Sequence, residues 1–339
     1  MSTIRQHLVW RKYLSPWTDN LDSSNGNIVC YYKAENKIIK NVSLENVGVQ
    51  KYSYDISMIN ESDKKAVTQY FDKWLNNQKL IGVKSKITDS SDIFQKDFIE
   101  NNFVCPIENN GIEFLNKLYK GEFPFEGPTV LEQFSDFLKF NMLNNLFANE
   151  CLFSDVEIKE LYNLTLSKYS GEDLRYDFFE FIAAQMLRTW KSKDNILNSI
   201  KQTVEKFEDS CLKNTTTAMF PLMMVFNTQI LASALCKNNF YIELIKNETA
   251  QDFITSDFPL INLCADYNNI GETINSLELY YPITPRLAII CKNSIKVNTT
   301  TAISAVAIID SYNEKIFVAA TKQVYGVKEE DLKKYFREE

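Results

Sequence analysis

The sequence contains little histidine, glycine and proline: one, nine and eight residues among 339. Tight turns tend to recruit glycine or proline, so this scarcity favours long helices over a strand-and-turn architecture. The seven cysteines lie far apart without a CxxC pair, which is typical of isolated thiols in a reducing compartment. Together with a single histidine, they supply too few closely spaced ligands for a structural zinc site.

Several catalytic and membrane-related patterns are missing as well. There is no Walker A loop and no GxGxxG, GxSxG or HExxH motif, so we expect no cofactor, although Asp257 could bind a divalent metal ion. The longest apolar runs, such as residues 218–226, fall short of the ~20 residues that span a membrane. The first residues lack the apolar core of a signal peptide. We therefore expect a cytoplasmic protein without a membrane partner.

Acidic residues outnumber basic ones in this sequence. The formal net charge is −7, while 45% of residues are hydrophobic and 13% aromatic, a globular composition. Nucleic-acid-binding proteins are more often basic, so a surface that binds phosphate must be a local cationic patch in this chain.

Hydrophobic spacing predicts one α+β domain over residues 1–339, mostly helical. We divide it into an N-terminal motif and hairpin (1–58), a helical bulk (59–238) and a strand-rich C-terminal part (239–339). The N-terminal hairpin and the C-terminal strands are expected to form a small mixed or antiparallel sheet.

Local patterns make these expectations specific. Residues 28–32 and 37–42 have the composition of a hairpin, and residues 215–237 are apolar nearly all round, as in a central buried helix. Near the C-terminal end, residues 299–313 are predicted to be a helix and residues 314–321 the last strand. Further helices are predicted at 61–78, 129–147, 156–169 and 172–193.

The segment RQHLVWRKYLSPWT (5–18) holds the only histidine. If a helix begins at about residue 8, His7 lies near its N-terminus, where it could act as a general acid or base. Arg11, one turn later, could bind a phosphate or carboxylate together with Arg5 and Lys12. In the structural alternative the segment is a docking face with the cations on its solvated side, and that face consists of Trp10, Tyr13, Leu14 and Trp17.

FITSDFP (253–259) places short oxygen-bearing side chains at the end of a predicted strand. Loops at strand ends often carry site residues, so Thr255 and Ser256 could contact a substrate. Asp257 could be a base, a group that orients His7 or Arg11, or a metal ligand. It could equally accept hydrogen bonds from backbone N–H groups in a turn.

Two arginines are candidates for binding an anion. Arg286 follows two prolines in YYPITPRLAIIC (280–291), where a stiff turn could present its guanidinium to a ligand or pair it with a carboxylate such as Asp257. Arg188 lies among apolar residues in QMLRTW (185–190), three positions after Gln185. It could bind phosphate, or it could form a structural salt bridge.

Three of these segments, in the same order, resemble motifs of an uncharacterised bacterial family, domain of unknown function 4238. Its members typically open with a His-Tyr-Val-Pro-like motif followed by Tyr-Leu, carry Ile-Thr-Ser-Asp-Asn-Pro late in the chain, and have a Pro-Leu-Ser-Pro-like turn shortly afterwards. The matching residues are His7, Val9, Tyr13, Leu14, Thr255, Ser256, Asp257, Pro259, Pro282, Thr284, Pro285 and Leu287. Leu8, Trp10 and Phe258 depart from the family pattern.

The resemblance implies a recurring set of polar residues without an established activity. The genes of family members resemble mobile accessory genes of bacteria, and some lie near phage-defence loci. This context favours a nuclease or toxin-like effector. The first hypothesis is therefore a hydrolase of a phosphate-bearing substrate such as RNA, with catalytic His7 and Asp257 and with Arg11, Arg188 and Arg286 binding phosphate. The second is a sensor or partner-binding module that recognises an anionic ligand or a protein.

Overall fold

The structure is a computed structural model. It describes residues 5–19, 26–33, 38–51, 104–125, 174–204, 216–237, 240–268, 276–293 and 298–335. The predicted helices at 61–78, 129–147 and 156–169 lie outside these residues.

An antiparallel four-stranded sheet combines both ends of the chain, as the sequence predicted. Its strand order is β3-β2-β11-β6, so the late strand β11 lies between the hairpin strand β2 and the short strand β6. Its strands are β2 (Asn27–Tyr32), β3 (Ile38–Ser43), β6 (Thr255–Ser256) and β11 (Gln323–Gly326).

A second, five-stranded sheet is built from the C-terminal part alone, with strand order β10-β5-β9-β8-β7. Its pairs are antiparallel except β10 with β5, which is parallel. The strands are β5 (Phe240–Asn247), β7 (Ile261–Asn262), β8 (Glu278–Thr284), β9 (Leu287–Asn293) and β10 (Thr299–Ile303). A separate antiparallel pair joins β1 (Arg5–His7) to β4 (Val49–Lys51).

The helices of the described residues pack against these sheets or against one another. They are α1 (Arg11–Leu14), α2 (Cys105–Tyr119), α3 (Leu174–Leu187), α4 (Trp190–Val204), α5 (Thr216–Lys237), α6 (Val306–Ala319) and α7 (Glu329–Lys333). The predicted central helix at 215–237 is confirmed as α5, with Pro221 as its sixth residue. These helices and sheets together confirm the α+β class, whereas the three-part division of one domain stays a prediction.

Two apolar clusters form the core of the part of the chain that the structure describes. One joins the N-terminal segment to α2 and α3 through aromatic side chains, and it includes Tyr13, Trp17, Phe114, Phe178 and Phe181. Gly111 lets α2 approach α3 closely, because a Cβ atom there would lie 2.4 Å from the ring of Phe181. The other cluster packs α6 on the sheets and includes Phe253, Tyr280, Ile309, Ile316 and Val324.

Three predicted elements are wrong in type or extent. Residues 299–303 form strand β10, because they pair in parallel with β5, and the helix begins only at Val306. That helix continues to Ala319, so residues 314–321 are not the last strand. The helix predicted over 172–193 is divided at residues 188–189 into α3 and α4.

Candidate functional site

His7 is the last residue of β1, and the prediction that it lies near the start of a helix is wrong. His7 pairs with Val49 of β4, and the N–H of Leu8 donates to the carbonyl of Gly48 at 2.7 Å. These contacts keep the backbone extended, so α1 begins only at Arg11. Gly48 has a φ of 62°, the left-handed region that favours glycine, and a Cβ there would lie 3.0 Å from the Cβ of Val9.

After β1, the N-terminal segment contacts both late motifs through buried aromatic side chains. The hydroxyl of Tyr13 donates to the carbonyl of Pro282 at 2.7 Å and lies 2.6 Å from the hydroxyl of Thr255. Since a phenol has one proton, the Thr255 hydroxyl is the donor in the second contact. The Nε1 of Trp17 donates to the carbonyl of Phe253 at 2.9 Å. Tyr13 and Thr255 therefore hold distant parts of the chain together.

Arg188 lies directly after α3 and links His7 to the helices. Its Nη2 donates to the carbonyl of His7 at 2.8 Å, and its Nη1 forms an ion pair with Glu108 at 2.9 Å. The side chain of Arg188 is only 8% exposed. A buried guanidinium is stable only with such partners, so Arg188 ties the backbone of His7 to Glu108 of α2 at the start of the α3–α4 junction.

Asp257 accepts backbone hydrogen bonds with both carboxylate oxygens. Oδ1 accepts from the N–H of Thr321 at 2.9 Å, and Oδ2 accepts from Lys322 at 2.6 Å and from Gln323 at 3.1 Å. Burial raises the pKa of Asp257 to about 6, although these hydrogen bonds and the charge of Lys33 act to lower it. The side chain thus serves the connection between α6 and β11.

Gln323 connects this carboxylate to the loop beside His7. Its side-chain oxygen accepts from the N–H of Gly48 at 3.0 Å and from the hydroxyl of Tyr325 at 2.7 Å. His7, Arg188 and Asp257 are therefore joined through a short series of contacts. The sequence singled out neither Gln323 nor Gly48, since a glutamine in a strand and a glycine in a loop are common.

Lysine side chains converge on the C-terminal end of α6. The Nζ of Lys33 donates to the carbonyls of Phe317 at 2.8 Å and Ala320 at 2.9 Å, and the Nζ of Lys191 donates to that of Ala319 at 3.3 Å. Cations at this end of a helix interact favourably with its dipole. Burial lowers the pKa of both lysines, whereas the nearby charge of Asp257 raises it.

Two more lysines extend this cationic surface along the start of α4. Lys193 is buried, and burial lowers its pKa, while the charge of Asp194 raises it and that of Lys322 lowers it further. The exposed Lys322 places its Nζ 4.7 Å from the ring centre of Trp190. We call Lys33, Lys191, Lys193 and Lys322 the lysine cluster. Sequence analysis missed it because only burial distinguishes Lys33, Lys191 and Lys193 from ordinary surface lysines, and only its neighbours in space distinguish Lys322.

The other predicted residues have separate surroundings. The Oγ of Ser256 accepts from the N–H of Phe258 at 3.1 Å, and Arg11 is the partly exposed first residue of α1. Arg286 pairs with Asp252 at 3.0 Å and also donates to the carbonyl of Thr249, so it does not pair with Asp257. The structure brings Arg188 to His7 and leaves Arg286 in a different set of contacts.

Among the residues that the structure describes, no three His, Cys, Asp or Glu side chains are grouped to hold a metal ion. No helix in the described ranges is both long and apolar enough to cross a membrane.

Comparison with protein families gives one match. The profile of the family "Protein of unknown function (DUF4238)" matches residues 158–330, just over half of the chain. The chain belongs to this family. The matched range contains Arg188, the lysines of α4 and the FITSD and TPRL segments, whereas His7 precedes it. Comparisons with curated proteins and with solved structures give no match.

Proposed function

We propose that this member of the DUF4238 family hydrolyses a phosphate-bearing substrate, with RNA or another nucleic acid as the first class to test, and that His7 is its general acid or base. The observation that carries this proposal is the hydrogen bond from Arg188 to the backbone of His7. It fixes the backbone of the only histidine of the chain at the α3–α4 junction. An imidazole can exchange protons near neutral pH, as a general acid or base of hydrolysis must.

The local charge supports the same substrate class. The chain has a net charge of −7, yet the start of α4 carries Lys191 and Lys193, and Lys322 directly precedes β11. This is the local cationic patch that an acidic protein needs to bind a polyanion. Arg188 is left out of this patch because it is paired with Glu108. Arg11 lies on the segment that follows His7 and belongs to the same proposed substrate surface.

Asp257, Thr255 and Ser256 have positioning roles in this proposal. Asp257 holds the backbone of Gln323, whose side chain accepts from the loop next to His7. Thr255 fixes Tyr13, and Ser256 fixes the turn that follows Asp257. We leave Arg286 out of the substrate surface because its guanidinium binds Asp252.

The test uses the full chain and a labelled single-stranded RNA. Wild-type protein should cleave the RNA, His7→Ala should abolish cleavage, and Asn41→Ala, an exposed change on β3, should not alter it. Cleavage that persists in a folded His7→Ala variant refutes the role of His7. In a bacterial host, growth arrest by the wild type but not by His7→Ala would support a toxin-like or defence-associated role.

A non-catalytic binding module is the second candidate. The observation that favours it is that the carboxylate of Asp257 accepts three backbone hydrogen bonds, and the hydroxyls of Thr255 and Ser256 also bond within the fold. Groups committed in this way stabilise a surface rather than transfer protons. Stoichiometric capture of a partner or ligand, with no hydrolysis by wild-type protein, would favour this candidate.

A further inference from the structure

The start of α4 carries charges that its own helix opposes. Lys191 and Lys193 lie in its first turn, which contains no acidic residue. The amino end of a helix is its positive end, where an ammonium is unfavourable by about 0.3–1 kcal/mol and an anion is favourable. Both lysines are also substantially buried, which opposes their charge a second time. This position costs stability for Lys193, whereas the ammonium of Lys191 gains part of the cost back at the C-terminal end of α6. Such exceptions to local rules concentrate at functional sites.

Two ammonium groups of the lysine cluster retain hydrogen-bonding capacity. The Nζ of Lys191 donates to one carbonyl and otherwise faces the rings of Phe258 at 5.1 Å and Tyr267 at 4.7 Å. The Nζ of Lys322 faces the ring of Trp190. Among the ion pairs of the described residues, none includes Lys191 or Lys322. Since an ammonium group has three N–H donors, both lysines can donate further hydrogen bonds to an anion.

The nearest carboxylate cannot take the place of that anion. The charge of Asp257 acts on Lys191, but its oxygens already accept from three backbone N–H groups. It also acts on Lys33, whose ammonium is committed to the carbonyls of α6. One carboxylate therefore acts on two half-buried cations, while on the side of α4 Asp194 offsets part of the charge of Lys193 and Lys322 adds a further positive charge.

We propose that Lys191 and Lys322 bind phosphate groups of the ligand, and that Lys193 and the amino end of α4 add attractive potential. The ligand class is a phosphate ester, either the phosphodiester backbone of a nucleic acid or the phosphates of a free nucleotide. Phosphate oxygens accept hydrogen bonds from ammonium groups and are favoured near a helix N-terminus. This inference rests on the proposed function only for the substrate class, because it assigns binding and not catalysis.

The test measures binding of a labelled single-stranded 20-nucleotide RNA to the full chain by fluorescence anisotropy at several salt concentrations. The variant Lys191→Gln/Lys322→Gln is compared with Lys246→Gln/Lys333→Gln, two exposed lysines outside the cluster. Each double variant removes two positive charges. If both lysines of the cluster contact phosphate, the slope of log K against log salt should fall by about 1.4 in the first variant, at about 0.7 per contact. Affinity should fall at least tenfold there and less than twofold in the control.

Competition and charge-preserving variants complete the test. Displacement of the RNA by ATP or inorganic phosphate identifies a free nucleotide or phosphate as a ligand, whereas displacement by unlabelled RNA alone identifies the phosphodiester backbone; both support the site. Lys191→Arg/Lys322→Arg should keep binding, and this variant decides the matter if the glutamine variant does not fold. Equal losses in both glutamine variants, equal displacement by polyglutamate, or no binding by wild type would overturn the inference.

The two proposals fail in different ways. If the RNA binds through these lysines but is not cleaved, or is cleaved equally by His7→Ala, the catalytic proposal is refuted and the phosphate site stands. If RNA cleavage requires His7, but the KM and the salt dependence of cleavage are the same in Lys191→Gln/Lys322→Gln as in wild type, the phosphate site is refuted and the catalytic proposal stands.

Discussion

Substitution of Asp257 by asparagine should change the pH dependence of stability in a calculable direction. The pKa of Asp257 is about 6 in the folded protein, against 3.8 for a free side chain. A carboxyl group with a raised pKa binds protons preferentially in the folded state, so its contribution to stability is full below the unfolded pKa and is lost as pH rises through the folded one. Between pH 7 and pH 5, linkage gives wild type a gain of about 1.4 kcal/mol relative to Asp257→Asn.

Two effects of the same variant oppose each other at pH 7. The asparagine oxygen can take the position that accepts from Lys322 and Gln323, which leaves its NH₂ group against the N–H of Thr321. A buried N–H without an acceptor costs about 1–3 kcal/mol, whereas removal of the buried charge relieves the desolvation that raises the pKa of Asp257. We therefore expect a small difference in the free energy of unfolding at pH 7, and the change of that difference with pH carries the test.

The assay is urea unfolding of both proteins at pH 5, 6 and 7, with the exposed Glu113→Gln on α2 as control for the other titrating groups. Glu113→Gln should follow wild type at every pH. The reasoning is refuted if the difference in the free energy of unfolding between wild type and Asp257→Asn stays constant from pH 7 to pH 5. It is also refuted if the variant gains stability relative to wild type as pH falls.

Three further changes test the contacts around the site. Tyr13→Phe leaves the buried hydroxyl of Thr255 and a carbonyl without their partner, and should lower the free energy of unfolding by about 1–3 kcal/mol in urea titrations. Arg188→Gln removes the donor to the His7 backbone and breaks a buried ion pair, so we expect the free energy of unfolding to fall by about 3 kcal/mol and proteolysis within residues 5–19 to become faster. An unchanged rate of proteolysis would show that Arg188 does not hold the N-terminal segment. Gly48→Ala should cost more than Gly121→Ala in thermal unfolding, because both have positive φ but only Gly48 has a Cβ neighbour as close as 3.0 Å, and equal losses would show that the contact relaxes freely.

Much of the strand architecture could be predicted from the sequence because its patterns are local. The hairpin at β2 and β3 follows from two β-branched and aromatic runs, and α5 from a long apolar stretch. The end of α6 could not be predicted in this way. Its β-branched and aromatic residues favour a strand, whereas Lys33 and Asp257, both far away in sequence, stabilise its C-terminal connection.

The candidate site shows the same division. The sequence indicated that the N-terminal motif and the two late turns matter, and Tyr13 does contact both turns in space. It could not show that Arg286 pairs with Asp252 or that Arg188 bonds to the backbone of His7, since spacing carries no information on long-range partners. The lysine cluster was equally hidden, because lysine is common on surfaces and its burial depends on the completed fold.

The position of β11 between β2 and β6 has a consequence for synthesis of the protein. During translation, the hairpin of β2 and β3 leaves the ribosome about 280 residues before the strand that pairs with the other side of β2, so that edge waits without its native partner. An open edge is a template for wrong pairing, and pairing over such a separation in sequence is slow. The nascent chain should therefore depend on chaperones more than its stability alone would require, and truncation before residue 323 should yield aggregates rather than a smaller folded protein.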